Sequence, residues 1–319
     1  ITFLIPVYFW QRWAPYLFLI GGVLLVLVLI PGIGLKINGS RRWLSLVVAN
    51  FQPTELVKLF TVMYASDYVL RKSKQMRTIV KGFLPMLGVM IITGWLVFVE
   101  PDLGALIVIT AIAMGILFLG GLTLRVILSL AILAPIGVWG AIQISPYKQA
   151  RIQGFLDPWA PENVFNSGYQ TTQAQMAFGN GEYFGSGVGN SVAKLSFLPE
   201  AHTDFIMAII GEEFGLLGVA IVICLFAFLI VRMFGIAKES IKNNRHFAAL
   251  MAQGIAIWFS IQCTINIAVN LGLFPTKGLT LPLMSFGGSS ILVSVIAIAI
   301  VLRIDHENRR NLRGQHYNK

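Results

Sequence analysis

The sequence predicts an all-α fold, a polytopic transmembrane helix bundle, on three observations. Of its 319 residues, 56% are hydrophobic and only 12% charged, which is too apolar for a water-soluble globule. Apolar stretches near the roughly twenty residues needed to cross a bilayer recur at about 14–32, 53–70, 82–100, 103–122, 125–145, 205–233, 247–271 and 281–302. The 24 basic residues fall unevenly between them. One alternating set of loops holds sixteen, from Arg12 through Arg71 and Arg232 to Arg309, the other set holds seven, and Lys58 lies inside a stretch. The richer set belongs in the cytoplasm. The net charge of +10 therefore reads as topology, and no nucleic-acid partner is expected.

Taken in order, the first ten residues look like the tail of a further helix, which makes eight spans plus a stub. The chain opens at Ile1 without an initiator Met or a cleavable signal pattern, so a single transmembrane domain over 1–319, lacking an N-terminal portion, is expected. Arg41-Arg42-Trp43 reads as an interfacial anchor. The second span opens at Gln52-Pro-Thr-Glu55, with Pro at the first helical turn. Glu55 and Lys58 stand three residues apart there, either as an interfacial ion pair or as a pair facing a polar cavity. Glu100-Pro-Asp102-Leu-Gly104 separates the third and fourth spans; its acids fit a turn, a helix cap or a divalent-cation site.

The segment 146–204 becomes a large extracytoplasmic loop. Its glycines, from Gly179 to Gly189, match no nucleotide fingerprint and suit close backbone approach over the membrane surface. The loop ends in Phe197-Leu-Pro-Glu200-Ala-His202-Thr-Asp204-Phe205, where a carboxylate meets the start of a hydrophobic helix. Asp204 is either a helix cap or a general base whose helix dipole keeps it charged, with His202 placed to orient it. Chemistry on this face must use a substrate that carries its own activation. Lys277 is the outer-face cation nearest the last span, and Ser289 lies in the small-residue run that opens that span, where close packing is the simplest reading. Cys224 and Cys263 sit inside apolar runs as structural thiols, with no zinc spacing.

Together these segments resemble the SEDS (shape, elongation, division and sporulation) family of peptidoglycan polymerases. Asn38-Gly-Ser-Arg-Arg-Trp-Leu44, Phe51-Gln-Pro-Thr-Glu55 with Lys58, Pro101-Asp-Leu-Gly104, Gly168-Tyr-Gln170, Phe197 to Phe205 and Ser285-Phe-Gly-Gly-Ser289 carry the resemblance. Met176-Ala-Phe-Gly179, Gly189-Asn-Ser191 and Leu273 to Pro282 point to its cell-division branch. Two positions depart from the pattern: Phe286 replaces a common Tyr, and Glu100 stands where relatives often have Gln.

The resemblance implies about ten spans, and polymerisation of lipid II into glycan strands with release of undecaprenyl pyrophosphate. It implies that Asp204 is the essential aspartate and that Glu55 and Lys58 form a functional polar pair. Arg42, Asp102, His202, Lys277 and Ser289 are the expected supporting or substrate-binding residues, with Mg or Mn as a possible divalent cation, of unknown ligands, and no nucleotide. A class B penicillin-binding protein and regulatory membrane proteins of the division machinery are the implied partners, at the septum of a bacterial inner membrane. A lipid II flippase and a noncatalytic division scaffold are the rival readings.

Overall fold

In the computed structural model, residues 1–37, 40–46, 49–130, 132, 140 and 146–312 are described. A short 3-10 turn, Thr2–Leu4, precedes α1 (Val7–Leu29). Three antiparallel strands follow, β1 (Gly34–Ile37), β2 (Ser40–Leu46) and β3 (Ala49–Phe51), paired in the order β1-β2-β3. Next come α2 (Pro53–Arg71), α3 (Leu84–Val99) and α4 (Leu103–Leu119). The segment 146–204 contributes α5 (Pro146–Leu156) and α6 (Tyr169–Gly181). Three long helices complete the chain: α7 (Ile206–Lys242), α8 (His246–Asn270) and α9 (Gly288–Leu312).

Five described helical segments are long and apolar enough to cross a membrane: Val7–Leu29, Ile79–Val99, Ile206–Lys242, His246–Asn270 and Gly288–Asn311. Helix α4 is apolar but shorter. Helix α2 carries Glu55, Lys58 and Asp67 and is buried along most of its length, so its polar groups face protein.

Three boundaries differ from the sequence reading. The stub is no separate helix, because residues from Val7 onward already belong to α1; Pro6 sits at its N-cap. The last span starts at Gly288 rather than 281 because Leu281 to Gly287 is held in turns, with the Ser285 hydroxyl accepting from the Leu281 amide at 2.7 Å. The small sheet, absent from the all-helical reading, pairs Leu35 with Trp43 and Leu44 with Phe51. Most of the span expected at 125–145 lies outside the described residues.

The chain forms two compact units. The first comprises Ile1–Leu124, Leu229–Ile261 and Gly288–Lys319. Leu25, Val57, Val97, Ala105 and Ile109 from α1 to α4 pack together in it. Gly254 lets α8 lie against α2 and α4, since a Cβ there would meet Ile116 at 2.6 Å and Val62 at 2.8 Å. Near the start of α1 and the end of α9, Glu307 pairs with both Arg245 and Arg303 and accepts from the Val7 amide. The second unit comprises Arg125–Phe228 and Gln262–Gly287. Its core joins Ala174 and Ala177 of α6, Phe205, Ala208 and Ile209 around the start of α7, and Val269 of α8.

Candidate active site

Each unit holds one polar constellation containing residues singled out from the sequence. In the second unit Asp204 closes a turn immediately before α7. Glu200, in the left-handed region at φ 57°, accepts from the amides of Thr203, Asp204 and Phe205 at 3.1–3.2 Å. The Asp204 carbonyl accepts from the side-chain amides of Asn266 and Asn270, each at 2.9 Å. Both asparagines are buried.

These two are part of a stripe. Gln262, Asn266 and Asn270 recur every four residues and so share one face of α8. Asn266 also donates to the Leu279 carbonyl at 2.6 Å, and Gln262 to the Thr280 carbonyl at 2.8 Å. Asn270 Oδ1 accepts from the Ala208 amide at 3.0 Å, taking a first-turn donor that a local cap would otherwise use. The stripe thus ties the residue before α7 to the segment 279–280. That places the Asp204 carboxylate beside the Lys277-Gly278 backbone: a Cβ on Gly278 would lie 3.2 Å from Asp204 Oδ2.

His202 is exposed, and its carbonyl accepts from the Phe286 amide at 2.8 Å. Arg151, not singled out from the sequence, donates to the Thr276 carbonyl at 3.4 Å. The asparagines were also missed, although amides four apart in an apolar helix are a legible signal of a buried polar task.

In the first unit Arg42, on β2, donates to the carbonyls of Glu100 at 2.9 Å and Pro101 at 2.6 Å, covering the end of α3 and the turn beyond it. Asp102 is the N-cap of α4, accepting from the Ala105 amide at 3.0 Å, and its other oxygen accepts from Gln52 at 3.1 Å. The Gln52 amide donates to Ser289 Oγ at 3.0 Å. Arg42, Asp102 and Ser289 are therefore joined through two turns and Gln52 into one network at the start of α2.

Within α2, Lys58 Nζ lies 2.9 Å from both carboxylate oxygens of Glu55 and 5.3 Å from the centroid of the Trp258 ring. Lys58 is 0% exposed and Glu55 6%. Burial excludes an interfacial pair open to solvent and encloses both groups in protein.

Glu100 is buried, and neither of its carboxyl oxygens has a hydrogen-bond partner among the described residues. Burial pushes its pKa up to about 9, reinforced by the Asp102 charge and opposed by Arg42. The neutral acid is the form the fold accommodates. Its folded pKa lies above the unfolded value, so its contribution is fully present below about pH 4.5 and is lost as pH rises toward 9. Glu100→Gln removes that dependence. The melting temperature of the variant is expected to exceed that of wild type by a margin that widens from pH 5 to pH 8; a pH-independent difference would contradict the buried neutral acid.

Among the described residues, no three His, Cys, Asp or Glu side chains come together as a metal site. Both Asp102 oxygens are occupied and Glu100 favours its proton. These residues do not fit a divalent cation held by protein ligands alone.

The chain matches the cell cycle protein family of FtsW, RodA and SpoVE over residues 1–310. It is 54% identical over 305 residues to a probable peptidoglycan glycosyltransferase FtsW of Aromatoleum aromaticum, covering 96% of this chain and 74% of that protein. A protein of the same description from Nitrosomonas europaea is 49% identical over 98% of this chain and 80% of its own length. Among solved structures, one concerned with coordination of polymerization and crosslinking by a peptidoglycan synthase complex is 28% identical, with a TM-score of 0.79 over 96% of this chain and 84% of that one. The rod shape determining protein RodA of Thermus thermophilus is 25% identical, with a TM-score of 0.67 over 96% and 82%. The chain belongs to the FtsW, RodA and SpoVE family of cell cycle proteins.

Proposed function

We infer that the chain is a peptidoglycan glycosyltransferase of the cell-division branch, polymerising lipid II on the extracytoplasmic face with Asp204 as general base. The observation that carries this reading is the Asp204 turn, whose backbone is fixed from α8 at 2.9 Å by two buried amides. Fixing the main chain leaves the carboxylate at the helix mouth with a set direction, as proton transfer to a positioned base requires.

The step is a single displacement. Asp204 takes the proton of the acceptor's GlcNAc 4-hydroxyl as that oxygen bonds to the donor's anomeric carbon. The bond from that carbon to the pyrophosphate oxygen breaks, undecaprenyl pyrophosphate leaves with the electron pair, and the configuration inverts from α to β. A pyrophosphate leaves without protonation, so the second carboxylic acid of a glycosidase is unnecessary. Cations stabilise the departing charge; Lys277, beside Asp204 in the same unit, is the residue assigned to it. Glu55, Lys58, Arg42, Asp102 and Ser289 support the first unit's outer end. Mg or Mn, if required, would neutralise charge on the leaving pyrophosphate, and the residues named here would not hold it by themselves.

The partners that fit are a class B penicillin-binding protein, in keeping with the synthase complex this fold matches, and regulatory membrane proteins at the division septum. Purified protein in vesicles with dye-labelled lipid II tests the activity. Glycan chains on a gel support the polymerase; dye crossing the bilayer without chains supports a flippase, and the absence of both supports a scaffold.

Asn270→Ala removes one of the two donors to the Asp204 carbonyl. The polymerisation rate per folded molecule is expected to fall roughly ten- to a hundredfold, as for a small misplacement of a reacting group, with lipid II affinity unchanged. Equal rates in variant and wild type would remove the positioning role.

A further inference from the structure

We propose that the glycine-rich segment Gly181 to Gly189 is an outer-leaflet anchor, with Tyr183, Phe184 and Val188 seated among lipid acyl chains at the hydrocarbon boundary. The segment is built into a break in α7. Gly215 leaves the helical region at φ 65° and ψ −163°, so the amides just beyond it need acceptors from elsewhere. Leu216 donates to the Glu182 carbonyl at 2.9 Å and Leu217 to that of Tyr183 at 3.2 Å. In return the amides of Ser186 and Gly187 donate to the carbonyls of Glu212 and Glu213 at 2.9 and 3.1 Å.

Four main-chain bonds therefore hold the segment against the helix, at a distance only glycine permits. A Cβ on Gly185 would sit 2.2 Å from the Glu213 carbonyl oxygen, and one on Gly215 2.5 Å from the Gly185 nitrogen. The buried Glu212 side chain adds a second tether, accepting from Ser191 Oγ at 2.5 Å and the Ala193 amide at 3.1 Å.

The depth of this attachment follows from α7 itself. Eighteen uncharged residues run from Phe214 to Val231, between the Glu213–Lys194 ion pair at one end and Arg232 at the other. At about 1.5 Å per residue they span about 27 Å, close to the roughly 30 Å of a hydrocarbon core. Residues 212 to 217 thus lie at its outer edge, and a segment bonded to them lies there too.

Irregular backbone at that depth needs its polar groups satisfied, which the exchanged bonds accomplish. The side chains it presents are apolar and outward: Tyr183 is 70% exposed, Phe184 83% and Val188 76%. They continue the exposed apolar stripe of Leu216, Leu217 and Ile221 on α7. An aromatic pair at a membrane boundary is the composition lipid favours there. Acyl chains are the occupant this continuity selects.

The test is depth-resolved spin labelling of the full chain in vesicles of phosphatidylethanolamine and phosphatidylglycerol, with Cys224 and Cys263 replaced by Ala. Labels at Phe184→Cys and, independently, Val188→Cys are compared with Leu225→Cys on the exposed face of α7 and Glu200→Cys in the outer loop. Collision with oxygen relative to a water-soluble nickel chelate is expected to exceed that at the Glu200 site several-fold and to stay below that at Leu225, which lies near the middle of the apolar run. A ratio equal to that at Glu200 would place the segment in water. Shielding from both reagents would place protein rather than lipid against it, and either result overturns the proposal.

Discussion

Lys58→Met is expected to destabilise the fold by about 3–5 kcal/mol, because it strands the Glu55 carboxylate inside α2 without its cation. Met keeps much of the length of the lysine stem, so the loss comes from charge rather than from a cavity. A drop in melting temperature of order 10 °C follows at about 2–4 °C per kcal/mol. The double variant Glu55→Gln, Lys58→Met removes both charges and is expected to recover most of the loss. Thermal denaturation of the four proteins in one detergent closes this cycle. Additive losses in the double variant would show that the 2.9 Å contact carries no coupling, and the pair would revert to two independent polar residues.

Asp204→Asn is expected to lower the polymerisation rate by about 10²–10⁴, the range supplied by a positioned general base. Fold and binding are expected to persist. The amides of Asn266 and Asn270 hold the carbonyl of residue 204 and not its side chain, so the substitution leaves those bonds intact. The signature is a fall in kcat with lipid II affinity and melting temperature unchanged, which separates loss of the base from loss of the turn. Removal of a mere helix cap would act in the opposite way, costing about 1 kcal/mol of stability and little rate.

Five of the eight expected spans were legible as membrane-length helices among the described residues, because hydropathy over twenty residues outweighs local detail, and the caps because their chemistry is local. Asp102 at the head of α4 and Pro53 at the head of α2 are examples. The sequence left Glu55 and Lys58 as either an interfacial pair or a pair facing a polar cavity, and packing excludes only the pair open to solvent. The sheet at 34–51 was not legible, since strands of three to seven residues give too few alternations to stand out beside long apolar runs.

The glycine tract was read as backbone folding close over the membrane surface, whereas the close approach seen is to α7, at Gly185 and Gly215. Gly215 looks like any small residue in an apolar helix, and only the exchanged bonds reveal a break. Asn266 and Asn270 show their spacing in the sequence, but their acceptor lies some sixty residues away and is fixed by tertiary structure alone.

The central claim is that one carboxylate before α7 removes the proton that starts each glycosyl transfer. It is tested most directly by supplying lipid II to wild-type and Asp204→Asn protein, matched for folded amount in identical vesicles, and resolving the products on one gel. A ladder of glycan chains is expected from wild type and none above background from the variant. Ladders of equal length and intensity would contradict it.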